Sequence, residues 1–255
     1  LPCPGDALSR PPVAPDAAQN SGADELRIYV PGPTVDQFAG ARLELSNLSE
    51  FLPELGLTYY RAGLSNPGWV DAYAEVYGAN IVITPVKNLS ILGEWAQFKA
   101  DDDTGAATID DDNNAYDAAI AYTVNDKLMI KGGYKQVEGQ YYAPGYWDRI
   151  LFLRNPSDIK GGYGDISWTA AKNLSLKLHG GFYEIDQGYW GTAGDELNHY
   201  TAALKYALTS KLGLQLGYEY LKYKPEVGDE SDYGYFTAGL SYGLGKDAAF
   251  NLLYQ

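Results

Sequence analysis

Polar and apolar side chains alternate most clearly over residues 114–137. Tyr116, Ala118, Ile120, Tyr122 and Val124 fall at every second position, and Asp117, Ala119, Ala121 and Thr123 lie between them. Successive side chains of a strand point to opposite faces, so this arm has one apolar face and one small, polar face. Asn125-Asp126 supplies a tight polar turn. The returning arm puts Leu128, Ile130, Gly132 and Tyr134 on one face, and Lys131, Gly133 and Lys135 on the other. Each arm is about ten residues long, the length a tilted strand needs to cross a membrane's hydrocarbon layer.

The same period predicts strands over 38–47, 52–63, 70–84, 89–100, 114–124, 127–138, 161–170, 174–186, 197–208, 212–224, 232–244 and 248–255. Leu26–Val30 is a further short candidate. Residues 1–25 are rich in Pro, Ala and Asp, have no period, and read as an irregular linker or loop. The nearest stretch to a helical period, 44–55, is interrupted by Pro53.

The connections alternate in length. Leu48–Phe51, Pro85–Asn88, Asn125-Asp126, Ala171–Asn173, Thr209–Lys211 and Gly245–Asp247 are short. Leu64–Trp69, Asp101–Asn113, Gly139–Lys160, Gln187–Glu196 and Pro225–Ser231 are long. An up-and-down transmembrane β-barrel has this alternation, with short turns at one rim and long loops at the other. A soluble β-sandwich has no reason to keep it, although strand periodicity alone fits both.

The faces follow strand by strand. Leu43, Ile91, Leu176, Leu204, Leu214 and Leu252 belong to an apolar set. The opposite face carries Arg42, Glu44, Glu94, Asp117, Lys131, Lys135, Asp165, Lys177, His179, Lys205 and Glu219, the expected pore-lining residues of a barrel. The long segment after strand 127–138 contains Tyr142, Tyr146, Trp147, Asp148 and Arg149. These suit a loop that folds into or over a pore and constricts it, and equally one that packs at the rim or against a neighbouring subunit.

Composition narrows the class. Of 255 residues, 23 are Tyr and 29 are Gly. Mean hydropathy is −0.30, and no run of 18 apolar residues occurs, so the sequence contains no transmembrane helix. A barrel places apolar residues only at alternate positions, which keeps mean hydropathy low. The net charge of −14 argues against nucleic acid, whose phosphates need a basic surface. A single Cys3 leaves no internal disulfide.

The segment 141–161, YYAPGYWDRILFLRNPSDIKG, and the related phrases PVKNLSILGEWAQF (85–98) and AKNLSLKLHGGFYE (171–184) carry a family resemblance. The chain resembles the C-terminal porin barrel of S-layer-homology-domain outer-membrane proteins of the Deinococcus–Thermus group and related lineages. The resemblance covers 38–255. It implies an outer-membrane location, a water-filled channel for ions and small solutes, and surface-layer or cell-wall partners in the longer protein.

The reading reached from the sequence is therefore an all-β, antiparallel, up-and-down transmembrane β-barrel over 26–255, acting as a passive porin in the bacterial outer membrane. Its partners are membrane lipid, small solutes and, where the barrel oligomerises, copies of itself. The alternative is a structural anchor for a surface layer. No enzyme is expected. His179 and His199, even beside Ser167 or Ser175, read as polar strand residues, and no phosphate loop or Cys/His cluster is present. No cofactor is required. Asp101, Asp102, Asp103, Asp110, Asp111 and Asp112 form two runs of oxygen ligands of the kind Ca²⁺ takes, without EF-hand spacing, and they suit a solvated, self-repelling loop as well. With short turns taken as periplasmic, strand 248–255 runs outward. The barrel is then expected to be incomplete at one or both ends, with at least one more strand beyond Gln255 and more chain before Leu1.

Overall fold

The computed structural model describes residues 34–46, 53–65, 72–102, 113–143, 148–244 and 249–254. Strands β1 (Thr34–Leu45), β2 (Glu54–Ser65), β3 (Ala72–Val86), β4 (Leu89–Asp102), β5 (Asn114–Asn125) and β6 (Leu128–Val137) follow one another. A two-strand hairpin, β7 (Arg149–Ile150) and β8 (Leu153–Arg154), interrupts the succession. It resumes with β9 (Ile159–Ala171), β10 (Leu174–Ile185), β11 (Glu196–Ala207), β12 (Leu212–Lys224), β13 (Ser231–Gly243) and β14 (Ala249–Tyr254). All but the hairpin form one twelve-stranded antiparallel sheet in which each strand pairs with its neighbours in the chain. The twelve strands expected over 38–255 are all present. The candidate Leu26–Val30 and the linker 1–25 lie outside the described residues.

The sheet does not close into a barrel: β1 and β14 are its two edges among the described residues. β14 pairs only along Ala238–Gly243, so among the described residues the other half of β13 has no second strand beside it. The connection expected at 48–51 is longer, running from Leu45 to Glu54. Pro53 has no backbone N–H to offer the ladder, which explains why β2 begins after it. No helix among the described residues is long and apolar enough to cross a membrane.

The pairing register keeps the two faces separate across the whole sheet. Leu43 pairs with Leu57, Ile91 with Ile120, Leu176 with Leu204, and Leu214 with Leu240. Antiparallel partners share a face, so these pairs extend one apolar surface from edge to edge. Its large side chains are open: Leu43, Leu57, Ile120 and Leu252 each expose more than half of their area.

The opposite face holds the packed core. Ala74, Val76, Phe98, Val137, Ile159, Tyr183, Ile185, Leu197 and Leu221 from the sheet cluster with Tyr141, Ala143, Ile150 and Leu151 from the connection between β6 and β9. Adjacent loop residues reach far-apart strands. Asp148 meets β6 through Lys135, and Arg149 meets β12 through Glu219. Those strands stand four steps apart in the sheet order, about 19 Å if flat. The sheet curls around the loop, and its charged face is the concave one.

Candidate functional site

Register places charged and polar residues of six strands in a single row. Lys131 (β6) pairs with Asp165 (β9), Asp165 with His179 (β10), His179 with Thr201 (β11), Thr201 with Glu219 (β12), and Glu219 with Tyr235 (β13). Each residue sits at an alternate position of its own strand, so all project to the concave face. Two same-face positions toward the long loops, Glu94 pairs with Asp117, and Asp117 with Lys135.

Residues 148–151 of the connection between β6 and β9 enter this row and are pinned from two sides. Lys135 Nζ donates to Asp148 Oδ2 at 2.6 Å and lies 3.9 Å from Asp117 Oδ2. Asp148 is 3% exposed, and its carboxylate also accepts the Arg149 N–H at 2.6 Å. On the far side Glu219 collects four donors. Arg149 Nη2 reaches its Oε2 at 2.7 Å, and the Leu151 N–H reaches its Oε1 at 2.9 Å. His199 Nε2 lies 2.8 Å from Oε1, and the Tyr235 hydroxyl donates to Oε2. Leu151 has a φ of +50°, a left-handed conformation uncommon for a leucine. Burial of its side chain and the bond to Glu219 hold it there.

Aromatic rings bridge the two anchors. The Tyr163 hydroxyl donates to Asp117 Oδ1 at 2.6 Å, and Lys131 Nζ stands 5.1 Å from the Tyr163 ring centre. Tyr163, His179 and His199 follow in a line with centroid separations of 6.2 and 5.4 Å. His179 Nδ1 is 2.8 Å from Asp165 Oδ1. Each histidine is engaged by a carboxylate, His179 by Asp165 and His199 by Glu219.

Behind the hairpin, Asp158 ties this loop to the next one. It is fully buried, has a φ of +58°, and accepts the N–H groups of Gln187 and Tyr189. Trp190 Nε1 donates back to the Ser157 carbonyl at 2.8 Å. At the base of the second loop Asp195 is 1% exposed. It accepts from the Thr192 and Glu226 N–H groups at 3.0 and 2.8 Å, and from the Tyr223 hydroxyl.

Burial alone would raise the Asp195 pKa, but the three donors together hold it below the ordinary carboxylate value. The stabilisation from a depressed carboxyl is present above its unfolded pKa of about 3.9 and is lost as pH falls through its folded value. Acidification below about pH 4 is therefore expected to speed amide exchange at Thr192 and Glu226, and Asp195→Asn should flatten that dependence. An unchanged pH profile in the Asn variant would remove Asp195 as its source.

The pore-lining residues expected from the sequence all share the concave face, but they form three groups. Asp117, Lys131, Lys135, Asp165, His179 and Glu219 surround the loop. Arg42 and Glu44 form a separate cluster on β1, where Arg42 Nε meets Glu44 Oε1 at 2.6 Å and its other nitrogens meet Thr58 and Asn80. Lys177 and Lys205 lie toward the short turns. Glu94 stands between the first two groups, opposite both Asn80 and Asp117. Of the expected constriction residues, Asp148 and Arg149 are the two anchors, while Tyr142 is 56% exposed. Tyr146 and Trp147 lie outside the described residues. So do Asp103, Asp110, Asp111 and Asp112. Asp101 and Asp102 end β4, and no cluster able to hold a metal ion occurs among the described residues.

His199, Tyr235, Tyr163, Asp158 and Asp195 were not among the expected site residues. For the first three a signal exists, because they occupy alternate positions in phase with the charged set. For Asp158 and Asp195 nothing local marks them, since their partners come from other loops. No family model and no curated protein matches the chain.

Proposed function

We propose that this chain is an outer-membrane channel protein, a porin-type transmembrane barrel whose concave charged face lines a water-filled path for ions and small solutes. The observation that carries this reading is the division of the sheet. Its convex face carries an exposed apolar belt from edge to edge, with charges such as Arg61, Glu75 and Lys99 toward the long loops, while its concave face is charged and entered by a pinned loop. Soluble proteins rarely expose apolar patches beyond a few hundred Å². Lipid is the environment that such a face requires.

Aromatic positions support the same reading. Tyr116 and Tyr122 in β5, Tyr200 and Tyr206 in β11, and Phe236 and Tyr242 in β13 repeat at a spacing of six residues on the apolar face. That is about 20 Å along a strand. In each strand the first ring lies toward a long loop and the second toward a short connection. Aromatic girdles at the two membrane interfaces likewise put rings at both ends of a strand's lipid-facing side.

The test is conductance. Purified, refolded protein added to a planar bilayer should produce discrete ohmic steps, and protein whose bilayer insertion is verified but which gives no steps overturns the channel reading. One observation favours a second reading, a structural outer-membrane anchor for surface-layer or cell-wall material. The apolar cluster around Ile150 and Leu151 fills much of the concave face near the long loops. Insertion with no steps, together with retention of cell-wall polymer, is the outcome that reading requires.

A further inference from the structure

β1 and β14 each lack a second neighbour among the described residues. In hydrocarbon an unpaired strand edge leaves N–H and C=O groups without partners, so open sheet edges do not occur there. Soluble proteins blunt such edges with charges or prolines. β14, AFNLLY, has neither, and β1 keeps an uncharged stretch from Gln37 to Ala41. Strand direction alternates across the twelve-stranded sheet, so its two edge strands run antiparallel to each other. An even number of strands is what antiparallel closure requires.

The register measures how far the sheet spirals. Stepping across register partners carries Leu43, near the short-turn end of β1, through Trp95 and Gln136 to Lys224, the long-loop end of β12. Leu252 of β14 leads through Leu240 to Leu214, also on β12. On β12 the two rows therefore stand ten residues apart, from Leu214 to Lys224. A barrel closes only where this stagger matches the tilt of its strands. Twelve strands spaced about 4.8 Å and tilted by about 35–45° climb about 40–58 Å per circuit, roughly 12–17 residues. Leu252 opposite Leu43 would close the circuit at ten, which is too few. Each same-face step along β1 toward Thr34 adds two, and even steps keep both faces continuous. A stagger of about 14, in the middle of the range, sets Leu252 opposite Ala39.

We propose that β1 and β14 of one chain pair antiparallel, with Leu252 opposite Ala39, and close a twelve-stranded barrel. The inference rests on the transmembrane reading, because only a lipid surround forbids the open edges. Side-chain size fits the register. Ala39 and Ala41 meet Leu252 and Phe250 on the convex face, and Gly40 meets Asn251 on the concave face. β14 follows β13 from Gly243 to Ala238, and Phe236, the next convex residue, belongs to the aromatic row toward the long loops. The short strand thus covers β13 between its two aromatic rows. Closure also puts Arg42 and Glu44, which stand apart from the charged row of β6 to β13, on the wall of the same lumen.

The test is disulfide trapping in the full chain, with the natural thiol removed as Cys3→Ser. Bridged Cα atoms lie within about 7 Å, and adjacent antiparallel residues are about 4.5–5.5 Å apart. Leu252→Cys with Ala39→Cys, and Phe250→Cys with Ala41→Cys, should each bond within the monomer. Leu252→Cys with Leu43→Cys, about 15 Å apart in this register, should bond about tenfold more slowly. Protein refolded into phosphatidylcholine vesicles and into detergent is oxidised, alkylated and weighed intact. A Leu43 pair that bonds as fast, a covalent dimer, or thiols that stay free overturns the closure; free thiols are the result that further strands between β14 and β1 would give. Conductance is measured on the same preparations. Bonded monomer that inserts without conducting keeps the closure and overturns the channel reading. Bonding in detergent without insertion into vesicles overturns the transmembrane reading and keeps the closure. Conductance with free thiols keeps the channel and overturns the closure.

Discussion

Leu176→Arg is expected to abolish assembly into lipid bilayers, while Lys205→Glu, on the opposite face, should assemble normally. Leu176 lies between the two aromatic rows of the convex surface, paired with Trp168 of β9 and Leu204 of β11. If that surface meets hydrocarbon, an arginine at mid-depth costs roughly 2–4 kcal/mol. Folded proteins are stable by only about 5–15 kcal/mol, so the charge takes a large share of the margin. Lys205 faces the concave side, where either sign of charge meets water. Refolding into vesicles, followed by heat-dependent gel mobility, reads the difference. Equal assembly of the two variants would contradict a lipid-facing convex surface and leave a soluble sheet protein as the better description.

Glu219→Gln is expected to release the connection between β6 and β9. The carboxylate receives Arg149, the Leu151 amide, His199 and Tyr235. Removing its charge leaves the Arg149 guanidinium, 19% exposed, without its ion-pair partner. Loss of a charged acceptor in so enclosed a setting costs about 2–3 kcal/mol. The left-handed Leu151 also loses the bond that holds it. Amide exchange at Leu151 should rise, and single-channel conductance should increase as the hairpin leaves the concave face. Arg149→Ala should act in the same direction, and the double variant should lose less than the sum of the two, because the residues share one interaction. Strict additivity would show that Glu219 and Arg149 act on different elements.

How much of this was legible beforehand depends on the range of the interaction. The twelve strands from β1 to β14 were readable because a two-residue period is a local property. Tyr116 to Val124 declares its faces with no knowledge of its partners. Loop alternation was readable for the same reason, since glycine, proline and aspartate mark turns where they stand. The phase of the charged set carried over intact. Once register is known, Lys131, Asp165, His179 and Glu219 fall into one row because each had already been assigned to the polar side. A one-residue slip would have sent them to the apolar face, so burying one face enforces the register.

What the connection between β6 and β9 does was decided only by tertiary structure. Its residues Ile150, Leu151 and Leu153 have no period that predicts a core, yet Ile150 and Leu151 are almost completely buried. They are buried because a curled sheet offers them Phe98, Tyr183, Leu197 and Leu221, drawn from strands far apart in the chain. The aromatic and charged residues 142–149 marked the segment as a lid or a rim element without choosing between them. The choice fell to Lys135 and Glu219, which stand 13 and 70 residues from their loop partners and meet them only when the sheet curls. The sequence by itself determined the strands, their order of succession and the sign of each face, because those depend on neighbours along the chain. Curvature, the seat of the loop and the grouping of charges depend on neighbours across the sheet, and only the tertiary structure decided them.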